Sequence, residues 1–301
     1  MMKAISFALC LSVFGVSACT ETSVESPVAE APAAFESPYF SVTVTGAGPD
    51  VILMPGLASS SAVWDSTVAA FEADFTLHAV QVHGFAGAAA AGNTGNENVL
   101  DDLATGLATY SAQLETRPVL VGHSLGGLVA MKAALVPDSE LSQLVIVDVL
   151  PFFSVLMDPD ATAESIAPVS AIMKAAMLGQ SDEVFALRQG EALKALVKSE
   201  DDLQQALSWS IASDRAVMAQ AMSEVLVTDL RTDIEAIKVP TLVIYAKDDA
   251  TPNMEAIEAF YQDLYANIPD VSLVAIEDAF HFIMMDQPEA FIAALEHALA
   301  Q

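Results

Sequence analysis

Residues Pro118-Val119-Leu120-Val121-Gly122-His123-Ser124-Leu125-Gly126-Gly127-Leu128-Val129 decide the fold of this chain. The apolar, β-prone run over Pro118 to Val121 reads as a buried strand, and the run from Ser124 onward as a helix. Between them, Gly122-His123-Ser124-Leu125-Gly126 fits the pattern G-x-S-x-G. Small residues on either side let the chain turn sharply, which lifts the serine hydroxyl above the sheet edge at a helix N-terminus. A strand before and a helix after are the context this motif requires.

The same rhythm extends both ways. Upstream, Phe40 to Thr45, Val51 to Met54 and His78 to Val82 read as strands. Ala62 to Phe75 and Asn98 to Leu114 read as helices, with a Gly/Ala-rich loop from Gly84 to Gly95 between them. Downstream, Leu144 to Val147, Thr241 to Ala246 and Val271 to Ile276 continue the series of strands. Apolar strands separated by helices predict an α/β fold, a mostly parallel central sheet with helices on both faces. One interval breaks the pattern. Phe152 to Arg231 holds no strand, and Ala161 to Leu178, Asp182 to Lys198, Asp201 to Ile211 and Arg215 to Leu226 read as four helices. An all-helical insertion over 152–231 therefore interrupts a core of 38–151 and 232–301.

A serine hydroxyl is a poor nucleophile until a positioned base takes its proton, and that base needs a carboxylate to orient it. The chain has five histidines. His123 lies inside the turn, where packing is the expected role; His297 falls in the terminal helix; His78 and His83 flank an early strand. His281 follows the last strand and precedes the terminal helix, at the sheet edge where ligands collect in open α/β sheets. It is the expected base. The carboxylate candidates are Asp248 and Asp249, just past strand Thr241 to Ala246, and Asp148, just past strand Leu144 to Val147.

Taken together, residues 38 to 301 resemble the α/β-hydrolase fold family, with the insertion in the place of that family's helical cap. The family's oxyanion segment is similar to Pro55-Gly56-Leu57 with Trp64 beyond it. Its acid motif resembles Ala246-Lys247-Asp248-Asp249, and its histidine motif resembles His281-Phe282-Ile283-Met284-Met285-Asp286-Gln287-Pro288. The chain order Ser124, Asp249, His281 matches the family's order, and the motif spacing favours Asp249 over Asp248. The resemblance implies a serine hydrolase with catalytic Ser124, Asp249 and His281 and an oxyanion hole from the backbone N–H groups of Leu57 and Leu125. Two positions depart from the pattern: Pro55 stands for the usual His, and Phe280 for a small residue before the base. A Ser at the turn argues against the dehalogenases and epoxide hydrolases of the fold, which resemble this chain but carry Asp there.

Met173, Met177, Met218 and Met222 recur at helical spacing in the insertion, with Trp209, Phe152 and Phe153. Such spacing fits plain helix packing; facing a cleft, the same side chains favour a flexible acyl or alkyl group. The expected substrate is a small, apolar carboxylic ester, thioester or lactone. Cleavage of activated C–C or peptide bonds, or a catalytically silent ligand-binding role, are the alternatives. No His, Cys or Asp cluster has metal-ligand spacing, and no cofactor is expected.

At the N-terminus, Lys3 precedes an apolar stretch from Ile5 to Val16, too short to span a bilayer. It ends in Val16-Ser17-Ala18-Cys19, which resembles the lipobox of bacterial lipoproteins. The resemblance implies a signal peptide over 1–18, lipidation of Cys19, and, with Thr20 after it, an outer-membrane anchor facing the periplasm; a soluble secreted or periplasmic protein is the alternative. Residues 19–37, rich in Glu, Ala, Ser and Pro, form the expected tether. Cys10 and Cys19 are the only cysteines, so the body beyond them has no thiol. Across the 301 residues, 53% are hydrophobic, ample for a large core. Acids outnumber bases 40 to 11, giving a formal charge of −29, which repels phosphate backbones and excludes nucleic acid as a partner.

Overall fold

A computed structural model describes residues 35–248 and 254–300, the side chains of 254–256 excepted. Segment 1–18, Cys19 and the tether up to residue 34 lie outside the described residues. The folded body starts at Phe35, three residues before the expected Pro38. Its ring packs on Tyr110 and Phe40, at centroid distances of 4.7 and 5.8 Å.

Seven strands form one sheet: β1 (Phe40–Gly46), β2 (Asp50–Met54), β3 (Thr76–Val82), β4 (Val119–His123), β5 (Gln143–Val147), β6 (Thr241–Lys247) and β7 (Val271–Glu277). Their order is β1-β3-β2-β4-β5-β6-β7, with β1 antiparallel and the rest parallel. In β2, Val51, Ile52, Leu53 and Met54 are all fully buried. Ile52 and Met54 enter one core and Val51 and Leu53 the other, as the two-residue period of a strand dictates. Burial on both faces is why this run is apolar without alternation. Each fully buried side chain of this size contributes about 2 kcal/mol.

Helices α1 (Asp65–Phe71), α2 (Val99–Ser111) and α3 (Leu125–Leu135) alternate with the first strands, and α8 (Met254–Tyr265), α9 (Ile283–Asp286) and α10 (Pro288–Leu299) close the chain. The expected helix from Ala62 to Phe75 is shorter. It begins as a tight turn over Ser61–Trp64 and ends at Phe71. Residues 72–75 instead pack on the β1–β2 turn, where a Cβ on Gly46 would lie 2.2 Å from the Phe75 carbonyl oxygen.

Between β5 and β6 come α4 (Ala163–Leu178), α5 (Asp182–Leu193), α6 (Glu200–Ala212) and α7 (Arg215–Val227), the four expected helices. Only α5 stops well short, at Leu193 rather than Lys198. Tertiary bonds decide this: the Leu196 carbonyl accepts from Phe282 N–H at 3.1 Å, and Lys198 N–H donates to Asp286 at 2.9 Å. Insertion and core are also joined at Glu224 of α7, whose carboxylate accepts from the N–H groups of Val99 and Leu100 at 2.9 and 2.8 Å. It thereby caps α2, a helix whose own N-cap residue supplies no side-chain bond.

Candidate active site

Ser124 sits between β4 and α3 with φ 54° and ψ −123°, a strained conformation for a residue with a Cβ. Three glycines permit it. A Cβ on Gly122 would lie 2.3 Å from the Gly126 carbonyl oxygen, and one on Gly126 would lie 2.5 Å from the carbonyls of Met54 and Pro55. One on Gly127 would strike Val149 at 2.6 Å. The turn is therefore as tight as the G-x-S-x-G pattern predicts. Leu125 opens α3, so its N–H belongs to the leading amides that have no acceptor within the helix. Leu57 lies in the loop after β2, which turns through a Ser59 N–H to Gly56 carbonyl bond of 3.2 Å and an Ala58 φ of 55°. Gly56 presses against Ser124: a Cβ there would stand 3.1 Å from that of the serine. Trp64, fully buried against Phe291, anchors the end of the loop.

His281 lies between β7 and α9. Its Nδ1 is 2.7 Å from Asp148 Oδ2. The acid follows β5 directly, one step past Val147. Since β4 and β5 pair His123 with Val147, Ser124 and Asp148 leave adjacent strands at the same level. Ser124 N–H extends the ladder by donating to the Val147 carbonyl at 2.9 Å. Asp248, by contrast, is held by Lys198 Nζ at 2.7 Å. Asp249, the acid the family spacing favours, lies outside the described residues.

The surroundings of Asp148 suit an ionised carboxylate. Its φ is 46°, and its own N–H donates to the Ile244 carbonyl at 2.8 Å. Oδ1 accepts from Ala246 N–H at 2.9 Å and from the Tyr261 hydroxyl at 3.2 Å. Burial favours the protonated acid, but the hydrogen bond and charge of His281 and the Ala246 amide outweigh it, and the pKa falls below the ordinary carboxylate value. An ionised carboxylate only accepts, so Nδ1 of His281 carries the ring proton and Nε2 keeps its lone pair.

His123 does more than pack. It is completely buried, its ring 4.6 Å from that of His281 and 5.0 Å from Phe282. Its Nε2–H donates to the His281 carbonyl at 2.9 Å, tying the serine turn to the loop of the base. Burial above all, with the neighbouring His281 adding to it, pulls its pKa down to about 3, so the ring stays neutral. His78 is occupied elsewhere, in a buried network with Asp50 and Tyr110. His83 bonds the Pro38 carbonyl, and His297 is exposed. Phe280, the bulky departure before the base, lies under the Lys198 ammonium, 5.0 Å from its ring centroid. Among the described residues, no three His, Cys, Asp or Glu side chains form a metal-ligand set.

The resemblance favoured Asp249 as the orienting acid, whereas the aspartate in contact with His281 is Asp148, and sequence reasoning gave no role to Tyr261. Strand adjacency was the missing signal: it is a property of the sheet order, which puts the ends of β4 and β5 side by side.

Known proteins share this fold. Residues 51–294 match the profile of the alpha/beta hydrolase family. A pimeloyl-[acyl-carrier protein] methyl ester esterase of Aeromonas hydrophila is 28% identical over 260 residues, covering 85% of this chain and 98% of that protein. The corresponding esterase of Vibrio atlanticus is 29% identical over 259 residues, covering 84% and 95%. Among solved structures, an esterase from Exiguobacterium antarcticum superposes with a TM-score of 0.70 at 19% identity, over 87% of this chain and 96% of that one. The enol-lactonase of Burkholderia xenovorans gives 0.67 at 18% identity over 87% and 96%, a likeness of fold. With its sheet order, its strained serine turn and its family profile in agreement, the chain belongs to the alpha/beta hydrolase family.

Proposed function

We propose that this enzyme is a serine hydrolase of carboxylic esters, with Ser124 as nucleophile, His281 as base and Asp148 as orienting acid. The observation that carries the reading is the 2.7 Å contact of Asp148 with His281 Nδ1, which supports Nε2 as the ring atom that accepts a proton. Ser124 Oγ gives its proton to Nε2 as it attacks the ester carbonyl carbon. The backbone N–H groups of Leu57 and Leu125 receive the developing oxyanion; losing one such donor typically removes about 3 kcal/mol of transition-state stabilisation. The imidazolium, stabilised by Asp148, then protonates the departing alcohol, and an acyl-enzyme remains on Ser124. Water, deprotonated by His281, releases the acid and regenerates the serine. Ester cleavage by the curated relatives supports the choice of substrate bond. Turnover of p-nitrophenyl esters and labelling by a fluorophosphonate, both abolished in Ser124→Ala, test the reading; a folded Ser124→Ala protein that keeps most activity refutes it.

The same reading holds the hydrolase at a bacterial envelope membrane through a lipid on Cys19, on the outer membrane facing the periplasm. The apolar stretch ending in Val16-Ser17-Ala18-Cys19 supports it. The wild type then fractionates with membranes through a high-salt wash and leaves them in detergent, while Cys19→Ser loses the lipid. Release by salt alone refutes the anchor.

A further inference from the structure

The segment joining α5 to α6 is where the insertion meets the loop of His281. Val197 is buried in the same core as Phe282 and Ile283. On either side of it the backbone is bonded across, the Leu196 carbonyl to Phe282 N–H and Lys198 N–H to Asp286. Lys198 therefore leaves a fixed backbone, and its ammonium reaches carboxylates on two different loops. Asp248, after β6, accepts at 2.7 Å, and Asp278, after β7, accepts as well. These bonds, that of Asp248 first, raise the Lys198 pKa above its ordinary value, so the cation is retained. The ammonium also stands over the ring of Phe280, 5.0 Å from its centroid. Phe280 is the departure from the family pattern, where a small residue precedes the base, and its ring gives the cation a face to rest on.

The charges gathered around this loop are otherwise mostly negative. Asp148 at the end of β5 bonds the His281 ring, Asp286 of α9 bonds Phe280 N–H, and Asp278 and Asp248 lie at the ends of β7 and β6. Lys247 is paired with Glu277 at 3.4 Å. His123 of β4 and Tyr261 of α8 are neutral, mainly through burial. Exposed ion pairs add little to stability. Here the Lys198 and Asp248 side chains keep only 27% and 12% of their exposure, so the charge acts through surroundings that screen it less than water.

Resting on the serine-hydrolase reading, we infer that Lys198 is a positioning residue for the reaction: from the insertion it clamps the loops after β6 and β7, fixes the loop of His281, and offsets the acids that favour the protonated base. Without this cation the carboxylates favour the imidazolium, which cannot take the Ser124 proton, so the acid limb of the rate profile moves up in pH. A unit charge removed at roughly 10 Å, in partly screened surroundings, moves it by about half a pH unit.

The test measures kcat and KM for p-nitrophenyl acetate, and the rate of fluorophosphonate labelling, from about pH 5 to about pH 9 on the full-length protein. In Lys198→Met, kcat on the plateau falls about fivefold with KM little changed, and the acid limb lies about half a unit above that of wild type. Lys198→Arg, which keeps the charge and can bond both carboxylates, restores both. Adding Asp278→Asn to Lys198→Met moves the limb back toward wild type, a reversal that damage to the fold would not show. Asp278→Asn alone is the second variant. It alters a mostly exposed side chain whose left-handed backbone suits Asn, and it moves the limb below that of wild type. A wild-type kcat or an unmoved acid limb in Lys198→Met overturns the inference, as does a loss that Lys198→Arg leaves unrestored or a limb that Asp278→Asn fails to lower. Wild-type labelling reports on the serine-hydrolase reading separately: its failure refutes that reading, whereas labelling with an unmoved limb in Lys198→Met refutes the inference alone.

Discussion

Asp148→Asn isolates the role of the orienting acid. Oδ1 of Asp148 already accepts from Ala246 N–H and from the Tyr261 hydroxyl. An asparagine keeps these bonds only with its carbonyl oxygen at the Oδ1 position, which turns its NH₂ toward His281. An NH₂ group donates, so Nδ1 must then accept and the ring proton moves to Nε2, the atom that has to take the Ser124 proton. Side-chain volume and the strained backbone stay nearly the same, so the loss falls on the tautomer. The expected loss in kcat is about 10⁴-fold, or about 5 kcal/mol, with KM little changed. Steady-state hydrolysis of p-nitrophenyl butyrate measures it, with circular dichroism and thermal melting to establish that the variant is folded. Asp248→Asn, which weakens the link to Lys198, and Asp249→Asn serve as comparisons. If Asp148→Asn keeps kcat within tenfold of wild type while Asp249→Asn loses it, the assignment of the acid is refuted.

Three further outcomes follow from the same contacts. His123 has a folded pKa near 3 against an ordinary 6.5, so on acidification the unfolded chain takes up this proton first and stability falls. From pH 6.5 to about pH 5 the loss from this group is about 2 kcal/mol, read by urea unfolding; an equal pH slope in His123→Gln, which retains the donor to the His281 carbonyl, would contradict it. Gly126→Ala drives a Cβ into the carbonyls of Met54 and Pro55 and destabilises by about 3 kcal/mol, visible as a lowered Tm; an unchanged Tm shows that the turn has room to spare. Asp286→Ala removes the acceptor of Phe280 N–H at 2.8 Å and Lys198 N–H at 2.9 Å, loosening the loop of His281, which keeps its Phe282 N–H bond to the Leu196 carbonyl. Stability drops by about 2 kcal/mol and kcat falls more than KM rises; a change confined to KM would mean that the loop is held by other contacts.

Most of the fold was legible along the chain, because its signals are local. Val51 to Met54 is apolar at every position since both faces of a central parallel strand are covered, and the sequence records this directly. The Ser124 turn was legible for a similar reason: Gly122 and Gly126 are required by clashes within a few residues and with the neighbouring loop. His281 could be read from its place after the last strand. Helix ends set by distant groups could not, as at α5, where the Asp286 carboxylate and Phe282 N–H stop the helix from nearly ninety positions away.

Sequence by itself determined the alternation of strands and helices, the helical insertion, and the serine turn and histidine loop that carry the proposed nucleophile and base. Tertiary structure alone decided which aspartate faces His281. Asp148, Asp248 and Asp249 all follow strands that end on the same side of the sheet, and the local motif spacing pointed to Asp249. The sheet order sets β5 beside β4, so Asp148 emerges next to Ser124, and Lys198, brought in from the insertion, takes Asp248. Tertiary structure also gave the methionines of the insertion their separate places, Met218 packed with Phe185 and Ala58 while Met173, Met177 and Met222 line a hollow between α4 and α5. A helical period fixes which side chains share a face but not what that face meets. A hydrogen bond 133 residues apart in sequence depends on strand order and register, and these are properties of the assembled sheet.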